Sequence, residues 1–538
     1  MQTKADRPWL VLILAAMVAL RAALLAADAF PFNGDEAIVG LMARHLLQGE
    51  RPAFFYGQAY LGSTDAWLVA LSFSIFGQSV LAIRIAQVAL FAATLVTTHL
   101  VARRLGLDAV SARLAVLFMA LPPAMLTLYT TATLGGYGET LLLGNILILI
   151  ALGLDHQGTE SAGTVKALSV LRVSVADLHR LLRWLAFGFV AGFAFWTFGL
   201  ILVYLIPLAA WLLAKHRLRA WRGYALALIG FAIGGAPWWT AIGQLGGSLI
   251  GELAGSAVAN TVAAPAALDS LGVRLINFFA FGASAWLGLR YPWSPEFVLP
   301  AVGLVVAGLY LAAFVLAARR GARLLWGMLG VLLATYLLTP FGGDPSGRYF
   351  VPLYLPLSIF AAQYVGQFHG RRRGLVGLLA GLIVGYNVVG TALAVTQPHG
   401  ITTQFDAVTW IERGRERELI DFLLRQGETR VYANYWVAYP MAFLSRERVI
   451  ASARLPYHLD FRYTRRDDRY PPYPRAVDES PRAAYVTTNH PALDRLIRER
   501  LSGLGVTFRE ETIGDYHVFY ALSRKVAPQD IGLGETTN

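Results

Sequence analysis

Two adjacent carboxylates, Asp35 and Glu36, stand in the stretch Pro31-Phe32-Asn33-Gly34-Asp35-Glu36, just beyond the first long apolar run and at the start of a helical pattern. A carboxylate so placed can serve as a general base toward a hydroxyl group. The same stretch also reads as a helix start, with Asn33 or Asp35 as the cap and Glu36 favoured by the positive helix end. The two readings are compatible, because a capping carboxylate can still take a proton.

Further polar groups follow. The segment Phe54-Phe55-Tyr56-Gly57-Gln58-Ala59-Tyr60-Leu61-Gly62-Ser63-Thr64-Asp65 alternates aromatic rings with amide, hydroxyl and acid groups. That pattern suits a sugar, which has apolar faces and hydroxyl edges; it also suits an aromatic belt at a membrane interface. A later loop runs from Tyr129 to Glu139 and is small and hydroxyl-rich, and Glu139 begins a helix. Another, Gly342-Gly343-Asp344-Pro345-Ser346-Gly347-Arg348-Tyr349, puts a guanidinium beside glycines that permit close backbone approach. Arg348 there either grips a lipid phosphate through paired hydrogen bonds or snorkels to bulk headgroups.

Several chemistries are excluded or unsupported. The chain has no cysteine, so disulfides, thiolate metal sites and a cysteine nucleophile are ruled out. Its ten histidines include no pair at helical ligand spacing, so no metal set is recognisable and a divalent metal has no support. Neither a Walker loop nor a usable GxGxxG is present. Any group transfer therefore needs a donor already activated in the membrane.

The elements that position these residues follow from composition. Of 538 residues, 56% are hydrophobic and 15% charged, where a soluble chain carries about 25% charged residues. The excess needs lipid as solvent, which makes this an α-helical polytopic membrane protein. About eleven apolar runs are long enough to span, near Trp9–Ala27, Val80–Val101, Ala112–Tyr129, Glu139–Leu154, Leu182–Trp196, Phe198–Ala214, Tyr224–Ile242, Phe297–Ala318, Leu324–Thr339, Tyr349–Phe368 and Leu375–Val395. Basic residues cluster in alternate loops: Lys4 and Arg7; Arg103, Arg104 and Arg113; Lys166, Arg172, Arg180 and Arg183; Lys215, Arg217, Arg219 and Arg222; Arg319, Arg320 and Arg323; Arg371 to Arg373. The opposite loops hold only Arg44, Arg51, Arg84, Arg274, Arg290 and Arg348. This bias predicts a cytoplasmic N-terminus and, after eleven crossings, an extracytoplasmic C-terminus. It also explains the net charge of +12 as a topology signal, not a nucleic-acid footprint. The first run resembles a signal peptide, ending Ala26-Ala27-Asp28-Ala29, but the many spans behind it favour an uncleaved helix.

Three segments lie outside the bilayer. The first outer loop, 28–79, carries amphipathic stretches around Glu36–Gln48 and Ser63–Phe76 that suit helices along the membrane surface. The second, Gln244–Glu296, is rich in Gly and Ala. The third begins at residue 397, so the chain divides into a transmembrane domain, 1–396, and a small α/β domain, 397–538. That domain has helical patterns at Glu412–Arg425 and Pro491–Leu501, with strand-like runs at Arg430–Asn434, Arg448–Ala451, Ala483–Thr487, Thr507–Glu511 and Tyr516–Ala521. Its Arg462–Pro474 stretch reads first as a solvated charged loop and second as an acceptor-binding loop.

Taken together, these features resemble the GT-C superfamily of integral-membrane glycosyltransferases, and within it the bacterial branch related to protein O-mannosyltransferases and lipid A aminoarabinose transferases. The resemblance rests on Gly34-Asp35-Glu36 after the first span, two juxtamembrane helices, the Tyr56–Asp65 segment, Arg348-Tyr349-Phe350-Val351-Pro352-Leu353-Tyr354 opening a late span, and the extracytoplasmic domain. It implies a sugar carried on a polyprenyl phosphate and passed, with inversion, to a glycan, lipid or protein acceptor at the outer face of a cell inner membrane. It further implies Asp35 as general base, supported by Glu36, and Arg348 on the leaving phosphate with help from Arg84 and Arg290. Tyr56, Gln58, Tyr60 and Tyr349 would then line the sugar or acceptor site, with Asp65 and Glu139 as further candidates. A transporter or lipid flippase is the alternative, and it would show two related halves with helices broken at the midplane. No such duplication is visible.

Overall fold

The computed structural model describes residues 7–155, 175–245, 251, 271–370, 372–412 and 414–534. Lys4, Lys166, Arg172, Arg371 and residues 246–250 and 252–270 of the second outer segment lie outside the described residues.

Apolar runs of bilayer length become helices, since in lipid every backbone polar group must be satisfied internally. Eight described segments are long and apolar enough to cross a membrane. Among them are α1 (Arg7–Ala26), Tyr137–Leu154, Pro300–Arg320 and Arg373–Val395. Each of the eleven expected runs is helical, but several are divided. The run expected at Ala112–Tyr129 breaks into Ala109–Ala120 and Ala124–Tyr129, because Pro122 and Pro123 interrupt the hydrogen-bond ladder. The run expected at Tyr224–Ile242 divides into Trp221–Gly234 and Ala236–Leu245 around Gly235 and Pro237. Outward side chains such as Leu304 (75% exposed) and Leu378 (67% exposed) are apolar, as a lipid-facing surface requires.

Helices Val175–Thr197 and Trp221–Gly234 touch backbone to backbone. A Cβ on Gly188 would fall 1.9 Å from the Ala227 carbonyl oxygen, and one on Gly234 would fall 2.0 Å from that of Phe189. Small residues at such a seam replace the missing hydrophobic drive with close packing.

The first outer loop holds α2 (Gly34–Leu47), a short antiparallel pair β1 (Phe54–Phe55) and β2 (Gln58–Gly62), and α3 (Thr64–Phe76). It leads into α4 (Val80–Arg104). The helix α2 does not lie exposed on the membrane surface, as its amphipathic pattern suggested. It is buried over nearly its whole length, because a helix of the C-terminal domain, Tyr435–Leu444, covers it.

The C-terminal domain is built on five strands: β3 (Arg430–Tyr432), β4 (Ile450–Ser452), β5 (Ala484–Thr488), β6 (Arg509–Ile513) and β7 (Tyr516–Tyr520). Their order is β4-β3-β5-β7-β6. β3 runs parallel to β4 and β5, while β7 is antiparallel to β5 and β6. All five strand-like runs of the sequence are strands, and β5 is buried at every position. Helices Glu416–Arg425 and Pro491–Gly503 occupy the two helical patterns.

Candidate active site

The site begins at the N-terminus of α2. Asn33 is the cap: its Oδ1 accepts the Glu36 amide at 3.0 Å. That leaves both carboxylates for other work, and they diverge. Glu36 is fully buried and takes two hydrogen bonds of 2.9 Å from Arg84, Nε to Oε1 and Nη2 to Oε2. Arg84 also donates to the Phe30 carbonyl at 3.0 Å. This pair bolts α2 to α4, and neither member lines the cavity described next. Glu36, expected to support the base, and Arg84, expected on the donor phosphate, are thus held by each other and stand off the cavity wall.

Asp35 turns into a cavity of about 270 Å³ that opens to solvent. The first outer loop contributes Asp35, Gln58 and Tyr60 to its wall. The membrane domain contributes Tyr129, Tyr137, Arg348 and Tyr349. The C-terminal domain contributes a third wall with Tyr435, Trp436, Tyr457, His458, Asp467 and Arg469.

Asp35 Oδ1 accepts a hydrogen bond from the Tyr435 hydroxyl. Tyr435 reaches it because residue 34 is glycine: a Cβ there would sit 2.7 Å from Tyr435 Cε1 and 3.1 Å from its carbonyl oxygen. Beneath Tyr435, the Arg469 guanidinium lies 5.3 Å from the ring centroid. Arg469 is 9% exposed. It donates to the Gly57 carbonyl at 3.4 Å, and the Gln58 amide oxygen, turned toward it, accepts from both Nη atoms at 2.7 and 2.8 Å.

Across the cavity, Arg348 pairs with Asp344 at 2.6 Å and donates to the Tyr349 hydroxyl at 3.1 Å. Its Nε has no hydrogen-bond partner among the described residues, while its side chain stays 38% exposed. A guanidinium half held and half open is suited to an anion.

The remaining sequence candidates are elsewhere. Arg290 is spent on backbone carbonyls, donating to those of Tyr291, Ser294, Phe281 and Pro345 at 2.8–3.1 Å and to Ser284 Oγ at 3.0 Å. It braces the loop before Pro300 and lies outside the lining of the cavity that holds Asp35, where the phosphate role had placed it. Asp65 is 3% exposed and accepts the amides of Gly135 and Gly136 at 2.9–3.1 Å, pinning the loop between Tyr129 and Glu139. Glu139 is 2% exposed and accepts from Gln87 at 3.2 Å. Both carboxyls lie outside the lining of the cavity. Tyr56 also leaves the site: its hydroxyl donates to Glu50 at 2.7 Å, and its ring stacks on Tyr470 with centroids 4.5 Å apart. That stack neighbours His45, whose Nε2 lies 3.0 Å from Glu447. Among the described residues no group of three or more acidic or histidine side chains is placed to hold a metal ion.

The third wall is what sequence reasoning passed over. Its signal was the Arg462–Pro474 stretch, but that stretch is not a solvated loop: Asp467 is 7% exposed and Arg469 9%. Burial pushes the Asp467 carboxyl up to about 7, with Arg469 pulling in the opposite direction.

No protein-family model matches the sequence, and no curated protein matches it. Solved structures do match. ArnT from Cupriavidus metallidurans, a lipid A aminoarabinose transferase, aligns in its apo state with a TM-score of 0.59 at 14% identity, covering 96% of this chain and 98% of that one. The same protein bound to undecaprenyl phosphate aligns at 0.57 and 13% identity, covering 95% and 98%. The oligosaccharyltransferase of Archaeoglobus fulgidus, tethered to an acceptor peptide, aligns at 0.51 and 13% identity over 90% of this chain and 69% of that one. The span bundle, the buried juxtamembrane loop and the appended sheet domain are together the fold that this chain shares with these solved structures.

Proposed function

We propose that this chain transfers a sugar from a polyprenyl-phosphate donor to an acceptor hydroxyl at the outer face of a cell inner membrane, with inversion at the anomeric carbon. The observation that carries the reading is the meeting of Asp35 and Arg348 on one cavity, from two segments far apart in the chain. The shared fold with a transferase crystallised on undecaprenyl phosphate supports it.

The chemistry follows from the charges. The acceptor oxygen gives its proton to Asp35 and attacks the anomeric carbon as the bond to the phosphate oxygen breaks. The electron pair leaves with the polyprenyl phosphate, and the half-open Arg348 guanidinium offsets the charge growing there. A single displacement inverts the centre. Tyr60 and Tyr349 offer ring faces to the sugar, and Gln58 sits beside them under the hold of Arg469. The acceptor, whether glycan, lipid or protein, enters along the C-terminal wall, whose aromatic and charged groups face the base. On this reading the N-terminus is cytoplasmic and the C-terminal domain extracytoplasmic.

The test uses the purified protein in nanodiscs with a panel of polyprenyl-phosphate sugars and candidate acceptors. Release of free polyprenyl phosphate is read by mass spectrometry for the wild type and for Asp35→Asn. Release by the wild type alone is the expected result. Equal release by the variant rejects Asp35 as the base, and failure of the wild type to bind any such lipid favours a transporter.

A further inference from the structure

The C-terminal domain touches the proposed base directly. Tyr435 is the first residue of the helix Tyr435–Leu444, and its position is fixed from both sides. Asn434 caps that helix, accepting the amides of Trp436 and Val437 at 3.0 and 3.2 Å, and it is tied to β5 through Thr488 at 2.9 Å. Along the same helix, Phe443 packs so closely on α2 that a Cβ on Gly40 would lie 2.7 Å from its ring. The helix therefore lies on α2 at two glycines, Gly34 and Gly40, and carries the Tyr435 hydroxyl to Asp35 Oδ1. The other carboxylate oxygen, Oδ2, makes no hydrogen bond among the described residues.

We infer that Tyr435 is a positioning residue for the base: its hydroxyl holds Asp35 Oδ1 so that Oδ2 faces the acceptor proton, and the C-terminal domain thereby completes the active site. The inference rests on the reading of Asp35 as base. Tyr435 is 3% exposed, and burial together with Asp35 pushes its hydroxyl well above the ordinary tyrosine range, so it stays a donor. The chain of support runs from Gly57 and Gln58 through Arg469 to the Tyr435 ring, and from there to Asp35. The first outer loop and the C-terminal domain therefore set one carboxylate between them. Among the described residues, Asp35 acts on Arg469, Tyr435 and Tyr457 of the C-terminal domain, Tyr60 of β2 and Tyr129 of the membrane domain, and it shares the cavity with Asp344, Arg348, Asp406, His458, Arg466 and Asp467.

The test is Tyr435→Phe in the full-length protein in nanodiscs, which removes one oxygen and keeps the ring on Gly34 and Arg469. Turnover should fall about tenfold, while KM for the lipid donor stays within about twofold. A second readout needs no turnover: the infrared carboxylate stretching band of Asp35, assigned by subtracting Asp35→Asn, should shift in Tyr435→Phe as the hydrogen bond to Oδ1 is lost. An unshifted band overturns the inference, whatever the melting temperature does. Should Asp35→Asn keep turning over while the band still shifts, the clamp stands and the assignment of the base falls.

Discussion

Glu36 and Arg84 face each other through two hydrogen bonds of 2.9 Å at a fully buried carboxylate, one residue along the helix from an Asp35 that turns away from them into the cavity. Adjacent helical positions point about 100° apart, so one carboxylate can brace the helix while its neighbour stays available. Removing one member of a buried ion pair strands the other's charge, at about 3–5 kcal/mol. Arg84→Ala and Glu36→Gln are therefore expected to lower the thermal unfolding temperature strongly. Asp35→Asn should leave it near the wild-type value and abolish transfer. Differential scanning fluorimetry beside the release assay separates the two; an Asp35→Asn that melts as early as Glu36→Gln assigns Asp35 to structure.

The other two arginines expected at the donor phosphate make opposite predictions. Arg348 keeps an unpartnered Nε and an exposed flank, so Arg348→Ala should weaken polyprenyl phosphate binding by about 10–100-fold. Arg348→Lys should recover only part of this, since an ammonium lacks the planar fork. Arg290 has its donors on six backbone and hydroxyl oxygens, so Arg290→Ala should cost stability and leave lipid affinity within about twofold of wild type. Titration of each variant with the lipid, by intrinsic tryptophan fluorescence or calorimetry, checks the contrast.

Which parts of this were legible in the sequence depends on how far each signal reaches. Span-length apolar runs and the five strand-like runs are local patterns, and they are helices and strands in the structure. The breaks at Pro122-Pro123 and at Gly235 were equally local and were read through, because overall hydropathy hides a kink. The place of Asp35 on the cavity wall was legible from its position just after a span. The partners that hold Arg84, Arg290, Asp65 and Glu139 off that wall were not, because sequence gives no means of seeing which distant group pairs with a buried charge. Tyr435 was out of reach for the same reason: it meets Asp35 across 400 residues of chain. The Arg462–Pro474 stretch looked solvated because charge density is read without knowing that a groove lined by Tyr60 and Tyr435 will receive it.

Acid should loosen the junction between α2 and the C-terminal domain. Burial works upward on the Glu447 carboxyl, but hydrogen bonds from His45 and Tyr473 and the charge of Arg44 hold it down to about 2, against an ordinary 4.5. A carboxyl depressed in the folded state contributes stability that is present above its unfolded value and lost as pH falls through its folded one. Melting temperatures should therefore fall between about pH 4.5 and pH 2 in the wild type. Glu447→Gln should be less stable at neutral pH and should converge on the wild type in that window. A constant gap across it would mean that Glu447 contributes shape alone.

Asp467 should behave in the opposite sense. Burial raises its carboxyl from an ordinary 3.8 to about 7, against the pull of Arg469. A raised acid binds its proton more tightly folded than unfolded, so it lowers stability progressively as pH climbs from about 3.8 to about 7, and by a constant amount above that. Asp467→Asn keeps the shape and removes the titration. The variant should match the wild type below about pH 4 and exceed it increasingly toward pH 7, with no further divergence above. Thermal melts in a buffer series from pH 4 to pH 9 read this directly. Because Asp467 lines the same cavity as Asp35 and Arg469, the two curves should also be compared with saturating lipid present. A ligand whose phosphate or acceptor group lies near Asp467 favours the neutral carboxyl, which moves the upper end of the divergence to higher pH in the wild type and leaves the variant unmoved. A divergence that keeps its midpoint with lipid bound places the ligand on the Arg348 side of the cavity, away from the C-terminal wall.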